Sequence, residues 1–278
     1  RLCSSAASDV YKRQLFDKVE KLRKPGSLIT SNTSGIPISM LAKGRSEEFQ
    51  RHFCGTHFFN PPRYLNLFEI IPHNTTDPEI IKFFEHYADL FLGKTPVLAK
   101  DTPAFIANRI GVFSMTTIFQ LMNDFDLSIG EIDVITGPLT GKPKSATFRT
   151  ADVVGLDTLI KVAKGVYDNC PKDERRSTFQ IVDFVLSMEK NQWLGDKTGQ
   201  GFYKKSKNEQ GKRVFLELDP KTLEYKAIPK RPFDSILQAK AASGLKNKLR
   251  MLSKGNDEAA RFNNTCLLYT SPSPRDLR

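Results

Sequence analysis

The sequence has little of what marks a disulfide-bonded, metal-binding or membrane protein. Its 278 residues include 4 cysteines, 4 histidines and 1 tryptophan. Cys3, Cys54, Cys170 and Cys266 are far apart and form no C-x-x-C pair. Reduced thiols in a cytoplasmic chain are therefore expected, with neither a disulfide framework nor zinc. His52, His57, His73 and His86 show no metal-ligand spacing. No apolar run approaches the roughly 18 residues that a membrane helix needs. The N-terminus lacks the basic, apolar, small-residue order of a secretory leader. A G-x-G-x-x-G turn is also missing.

What is present is an ordinary globular composition, 39% hydrophobic and 26% charged, with length enough for two domains. The net charge of +11 is unevenly placed. Residues 15–195 hold 21 basic and 21 acidic side chains, whereas residues 196–262 hold 16 basic and 8 acidic ones. The lysines of that basic segment alternate with acids, and no aromatic-rich motif accompanies them. A solvated linker and helix surface is preferred there over nucleic-acid binding. The two ends, 1–14 and 263–278, show no sustained periodicity and each holds a cysteine. They look like non-native flanks of a longer protein and are set aside in the fold argument.

Leu15–Lys24 has a short helical face, ended by Pro25-Gly26. Residues 27–30 read as a strand running into the polar turn Ser31-Asn32-Thr33-Ser34-Gly35, and 36–42 as a helical turn. Residues 53–58 and 67–71 read as strands on either side of Asn60-Pro61-Pro62-Arg63. Asp77-Pro78 supplies an N-cap and a first-turn proline for a helix over 78–92, followed by a strand at 95–99. This alternation is that of an α/β nucleotide-binding domain. The pattern changes at Asp101-Thr102-Pro103, where a boundary near residue 103 is expected. Thr102-Pro103 reads as the N-cap and N1 proline of a long helix ending near Asp124, with Ile106, Ile110, Phe113 and Thr117 on its apolar face. Shorter helices are expected near 129–136, 145–153, 156–168 and 178–190. Gly195–Tyr203 closes this helical part. Residues 206–232 read as a polar linker, and a helix-prone segment starts at Asp234.

Four features carry candidate chemistry. His57 and Glu69 are symmetric about residue 63, so an antiparallel hairpin centred there places them opposite each other. A carboxylate beside an imidazole raises its basicity and fixes its tautomer, which suits a general base; a buried structural pair is the alternative. Asn32 and Ser34 follow a strand, where open α/β sheets bind ligands, although such residues also form plain turns. Asn108 lies about 200° around the helix from Ile106. It faces either a cleft or open solvent. Lys197, in DKTGQGFY, sits in a tight glycine turn within reach of a phosphate or ribose, or on an ordinary surface turn.

Taken together, SNTSG, THFFNPP, the Glu twelve residues after His57, KDTPAFIANRIG and DKTGQGFYKK closely resemble the 3-hydroxyacyl-CoA dehydrogenase family over residues 15–205. GPLTGKPKSATFRTADVVGLD, LELDPKTLEYK and AKAASGLKNKLRMLSKG resemble its long multifunctional members, in which an enoyl-CoA hydratase and a second helical dehydrogenase-type domain are fused to the enzyme. The resemblance implies a partial Rossmann-type α/β NAD-binding domain over 15–103, an all-α dehydrogenase domain over 104–205, and the start of a further helical domain within 206–262. It implies NAD as cofactor, an acyl-CoA substrate and a homo-oligomer. It assigns His57 as base, Glu69 as its partner, and Ser34 and Asn108 as polar residues around the substrate oxygen. Asn60 and Lys197 match positions that contact NAD, with Asn32 a further candidate. The absent glycine-rich turn departs from the family pattern. The chain then reads as a fragment lacking the first half of its Rossmann domain, inactive alone and poor at binding NAD. The alternatives are a non-catalytic helical dimerisation or scaffold module, and a related β-hydroxyacid dehydrogenase.

Overall fold

The computed structural model describes residues 9–270. Within the first of two units, Arg1–Ile110, helix α1 spans Asp9–Leu22 and strand β1 spans Ile29–Ser31. Two short helices follow, α2 (Ile38–Ala42) and α3 (Glu47–Arg51), then strands β2 (Phe53–Phe58) and β3 (Leu67–Ile71). Helix α4 (Pro78–Leu90) is capped by Asp77, whose side chain accepts from the Glu79 amide, and leads to strand β4 (Thr95–Leu98). The sheet has the order β1-β2-β3-β4. β1 and β2 are parallel, β2 and β3 antiparallel, and β3 and β4 parallel.

Side-chain alternation in β2 and β3 gives this sheet two apolar faces. Phe53 and Ile71 pack with Phe16, Ile29, Leu41 and Phe49 on one side, while Cys54, Phe68 and Ile70 pack with Ala88 of α4 on the other. Burial in the second group pushes the Cys54 thiol up to about 12. Gly55 shares the first face with Phe53. A Cβ there would lie 2.8 Å from the Ile38 side chain, so only glycine lets α2 approach so closely. Asp101 holds α2 in place by accepting from the amides of Ile38 and Ser39 at 2.7 and 2.8 Å.

Helix α5 (Ala107–Leu121) carries the division into two units, which falls between Ile110 and Gly111. Two expectations about this helix need correction. Thr102-Pro103 does not start it, because Ala104 and Phe105 adopt left-handed backbone angles and delay the first turn to Ala107. Nor do Ile106 and Ile110 define a buried face: Ile110 is 64% exposed, and the buried residues are Val112, Thr116, Thr117, Ile118, Phe119 and Leu121.

The second unit contains α6 (Ile129–Ile135), α7 (Phe148–Val154), α8 (Leu156–Asn169) and α9 (Asp183–Lys190). Phe119, Phe148, Phe184 and Phe202 form an aromatic cluster at its core. Residues 206–232 are not a linker. They supply most of a three-stranded antiparallel sheet of β5 (Tyr203–Lys207), β6 (Arg213–Leu218) and β7 (Tyr225–Ala227). Its lysines occupy the exposed positions, while Leu218 and Tyr225 pack on the core, which is why its composition reads as solvated. Helices α10 (Asp234–Ala241), α11 (Leu245–Lys254) and α12 (Glu258–Thr270) follow. The segments set aside as flanks are helical where described: 9–14 continue into α1, and 263–270 continue α12 with Asn263 buried.

Buried carboxylates tie the second unit together. Asp133 accepts from the amides of Thr147, Phe148 and Arg149 and from the Tyr203 hydroxyl. Asp152 accepts from the amides of Phe202 and Tyr203. Burial pushes Asp152 up to about 7 and raises Asp133 and Glu217 above the ordinary carboxylate range. Each of these acids then binds its proton more tightly folded than unfolded. Between the unfolded value of about 4 and the folded value of about 7, the native state holds more protons, so stability falls as pH rises through that window.

Two outcomes are expected. The urea midpoint of the second unit falls as pH rises from about 4 to about 7, and Asp152→Asn flattens this slope; an unchanged slope in the variant assigns the effect elsewhere. Gly55→Ala destabilises the first unit by about 1–3 kcal/mol through overpacking against Ile38, measured by denaturant unfolding.

Candidate active site

The register of β2 on β3 pairs Phe58 with Phe68, His57 with Glu69, and Gly55 with Ile71. His57 and Glu69 therefore face each other directly and lie on the face shared with Phe53 and Ile71. His57 is 3% exposed and Glu69 is fully buried. His57 Nδ1 lies 2.7 Å from Glu69 Oε2. The other carboxylate oxygen, Oε1, accepts from the backbone amides of Ile106 at 3.1 Å and Ala107 at 2.8 Å. Both oxygens thus have a hydrogen-bond partner, and with the carboxylate as acceptor this network places the ring proton on Nδ1. Nε2 is left as an acceptor. The Ser34 hydroxyl, 2.9 Å away, donates to it.

The ring is held from both sides. Phe59 meets it edge-on at 4.5 Å between centroids, and Phe105 does so at 5.5 Å. Ser34 is placed by the turn after β1, where the Thr33 hydroxyl oxygen accepts from the Ile36 amide. Asn32 is exposed, and its side-chain oxygen accepts from the Phe58 amide at 2.9 Å, tying the end of β1 to the end of β2. Asn32, Ser34, His57 and Asn60 therefore gather where these two parallel strands end. Asn60 is exposed at the start of the loop between β2 and β3 and joins Pro61 through a cis peptide bond. Asn108 is partly buried and directly follows the two amides that hold Glu69.

Lys197 is not among the residues gathered in the first unit. It lies in the second, where its ammonium pairs with Asp157. The glycines around it answer a packing need: Gly195 and Gly199 have left-handed angles, and a Cβ on Gly201 would lie 2.1 Å from the Asp152 carboxylate. Sequence reasoning missed two groups. Lys94 is 9% exposed, and its ammonium donates to the carbonyls of Pro62 and Leu65, pinning the loop that carries Asn60. The backbone amides of Ile106 and Ala107 have no side-chain signature at all.

Among the described residues, no cluster of His, Cys, Asp and Glu has metal-binding geometry, and no helix is long and apolar enough to cross a membrane. Among the described residues, Cys54, Cys170 and Cys266 are not joined in disulfides.

The chain is similar to known proteins over both units. Residues 8–102 match the family model of the 3-hydroxyacyl-CoA dehydrogenase NAD binding domain, and residues 105–205 match that of the C-terminal domain. A Bacillus subtilis protein described as a probable 3-hydroxyacyl-CoA dehydrogenase is 49% identical over 251 residues, covering 90% of this chain and 31% of that protein. A Rickettsia prowazekii protein described as a putative fatty acid oxidation complex trifunctional enzyme is 30% identical, covering 79% of this chain and 30% of its own length. Among solved structures, the (S)-3-hydroxybutyryl-CoA dehydrogenase of Ralstonia eutropha superposes with a TM-score of 0.60 at 27% identity, covering 70% of this chain and 66% of that one. The chain thus spans about a third of the length of the two curated relatives. With consecutive family models over both units and a relative nearly half identical over most of its length, this chain belongs to the 3-hydroxyacyl-CoA dehydrogenase family.

Proposed function

We propose that the chain carries the catalytic residues of an NAD-dependent L-3-hydroxyacyl-CoA dehydrogenase of fatty-acid β-oxidation. The observation that supports this most is the setting of His57: a buried imidazole with Nδ1 against a carboxylate and Nε2 against the Ser34 hydroxyl, which can give way to a substrate hydroxyl. That is what a general base for a hydroxyl proton requires near neutral pH. In the oxidation, Nε2 takes the proton of the substrate 3-hydroxyl as the C3–H bond breaks and the C=O bond forms. Glu69 stabilises the resulting imidazolium through Nδ1–H. Ser34, already bonded to Nε2, turns its hydroxyl to the substrate oxygen. Asn108 supplies a second polar contact, and in the reverse direction these donors stabilise charge on the ketone oxygen.

NAD, when bound, supplies the acceptor for the hydride leaving C3. The amides of Asn32 and Asn60 and the hydroxyl of Ser34, at the ends of β1 and β2, suit the carboxamide and ribose of its nicotinamide end. A glycine-rich turn for its pyrophosphate does not occur in the sequence. Lys197 as a further NAD contact would have to exchange its bond to Asp157. The (S)-3-hydroxybutyryl-CoA dehydrogenase of Ralstonia and the Rickettsia protein described as a putative fatty acid oxidation complex trifunctional enzyme support a 3-hydroxyacyl-CoA as the substrate class. The same Rickettsia description supports a multifunctional parent with fused partners, and the family resemblance supports a cytoplasmic homo-oligomer.

The test uses the chain alone and an extended protein in which the chain replaces its match within the full-length Bacillus relative. Acetoacetyl-CoA reduction by NADH is expected to be weak for the chain alone and robust for the extended protein. His57→Gln in the extended protein should cost about 10³-fold in kcat, the scale of a lost general acid–base. A variant that binds NADH normally and turns over at the unsubstituted rate would remove His57 from the reaction.

A further inference from the structure

The unusual backbone of the first unit is concentrated next to the dyad. Ala104 and Phe105 have φ of 63° and 48°, and they are the only adjacent pair of non-glycine residues with positive φ among the described residues. Residues with a Cβ rarely adopt this region, and two in succession persist only where their surroundings impose them. Neither is loose: Ala104 is 7% exposed and Phe105 is 4% exposed, with its ring in the core beside Ile29, Ile38 and Leu41. The turn is closed by the Phe105 amide donating to the Thr102 carbonyl at 3.0 Å.

This turn has two consequences at one place. It sets the Phe105 ring against the His57 ring. It also aims the next two amides, those of Ile106 and Ala107, at Glu69 Oε1 instead of at an N-cap side chain. An ordinary Thr-Pro start, with Thr102 as cap, would direct the helix's first free amides at Thr102 and leave Oε1 of a fully buried carboxylate without donors. Such a carboxylate lowers its desolvation cost by taking up a proton, and its hydroxyl then donates to His57 Nδ1. The imidazole proton would move to Nε2 and the base would be blocked.

We propose that Ala104 and Phe105 are positioning residues for the His57–Glu69 dyad. Their left-handed pair turns the N-terminus of α5 into the carboxylate's second set of donors and thereby fixes His57 in the Nδ1–H tautomer. Its catalytic consequence rests on the function proposed above, but the tautomer does not.

The full chain, labelled with ¹⁵N at histidine, tests this directly, with His57→Gln used only to assign the His57 signals. The unsubstituted protein should show one His57 tautomer, protonated on Nδ1, with a strongly deshielded proton. Ala104→Gly, which permits the same backbone, should preserve that signature. Ala104→Val, whose β-branch disfavours positive φ, should shift the tautomer ratio by about tenfold or more toward Nε2–H, the effect of losing one hydrogen bond to a charged group. If Ala104→Val does not fold, Ala107→Pro serves instead. It deletes one amide donor at the helix position where proline is best tolerated, and should give a shift of the same sign. A folded Ala104→Val or Ala107→Pro protein with the unsubstituted tautomer and proton shift overturns the proposal. A correct tautomer with no turnover in the extended protein would instead count against the proposed function alone.

Discussion

A carboxylate with no access to water must have its charge met by donors from the protein, and Glu69 is such a group. Three donors converge on it from two directions: the imidazole across the β2–β3 pair and the two amides at the head of α5. This requirement ties together parts of the first unit that are far apart in sequence. The strands must pair in the register that sets residue 57 against residue 69, because a slip of one residue would carry either side chain to the opposite face. The chain after β4 must return to the same face and present bare amides there. Satisfying one buried charge thus sets the strand register, the entry of the long helix and the tautomer of the histidine together.

The strands and the dyad were legible because they follow from periodicity. Phe53–Phe58 and Leu67–Ile71 are apolar runs of strand length, and their symmetry about residue 63 fixes a pairing without tertiary information. The helix at Pro78 was equally readable, since Asp77-Pro78 is a local signal that the structure uses as such. The head of α5 was not. Thr102-Pro103 is a sound local start signal, and Ala104 and Phe105 have no preference for left-handed angles, so only the demand of Glu69 selects that conformation. The sheet over Tyr203–Ala227 was hidden for another reason. One face of each strand is solvated and rich in lysine, and the buried positions are too few to stand out. Lys94 was hidden because its partners are backbone carbonyls, which no side-chain pattern reveals.

The candidate site residues separate along the same line. His57, Glu69 and Ser34 are joined by hydrogen bonds that depend on strand pairing and one short turn, both local to the first unit. Asn32 was read as a ligand contact, and its oxygen is in fact committed to the Phe58 amide, leaving only its amino group to offer. Lys197 stands out for its glycines, yet Gly195 and Gly201 are explained by their close approach to Asp152 and Gly199 by its left-handed backbone. A glycine-rich stretch therefore signals crowding as readily as it signals a ligand.

Buried acids in the second unit show why burial alone does not mark chemistry. Asp133 and Asp152 are held by backbone amides much as Glu69 is, and their carboxyls are raised by burial. They cap the start of α7 and anchor β5, and their side-chain partners are a hydroxyl and a guanidinium that do not titrate near neutrality. Glu217 goes further: Oε2 accepts from Ser128 and from the Gly130 amide, while Oε1 has no partner among the described residues. Its raised affinity for a proton fits that unpaired oxygen, because a neutral acid tolerates burial better than an anion. Glu69 differs in having spent one oxygen on backbone and the other on an imidazole whose second nitrogen remains a proton acceptor. Backbone amides meet part of the cost of burial in all four cases, and only Glu69 is paired with a group able to exchange a proton with something outside the fold.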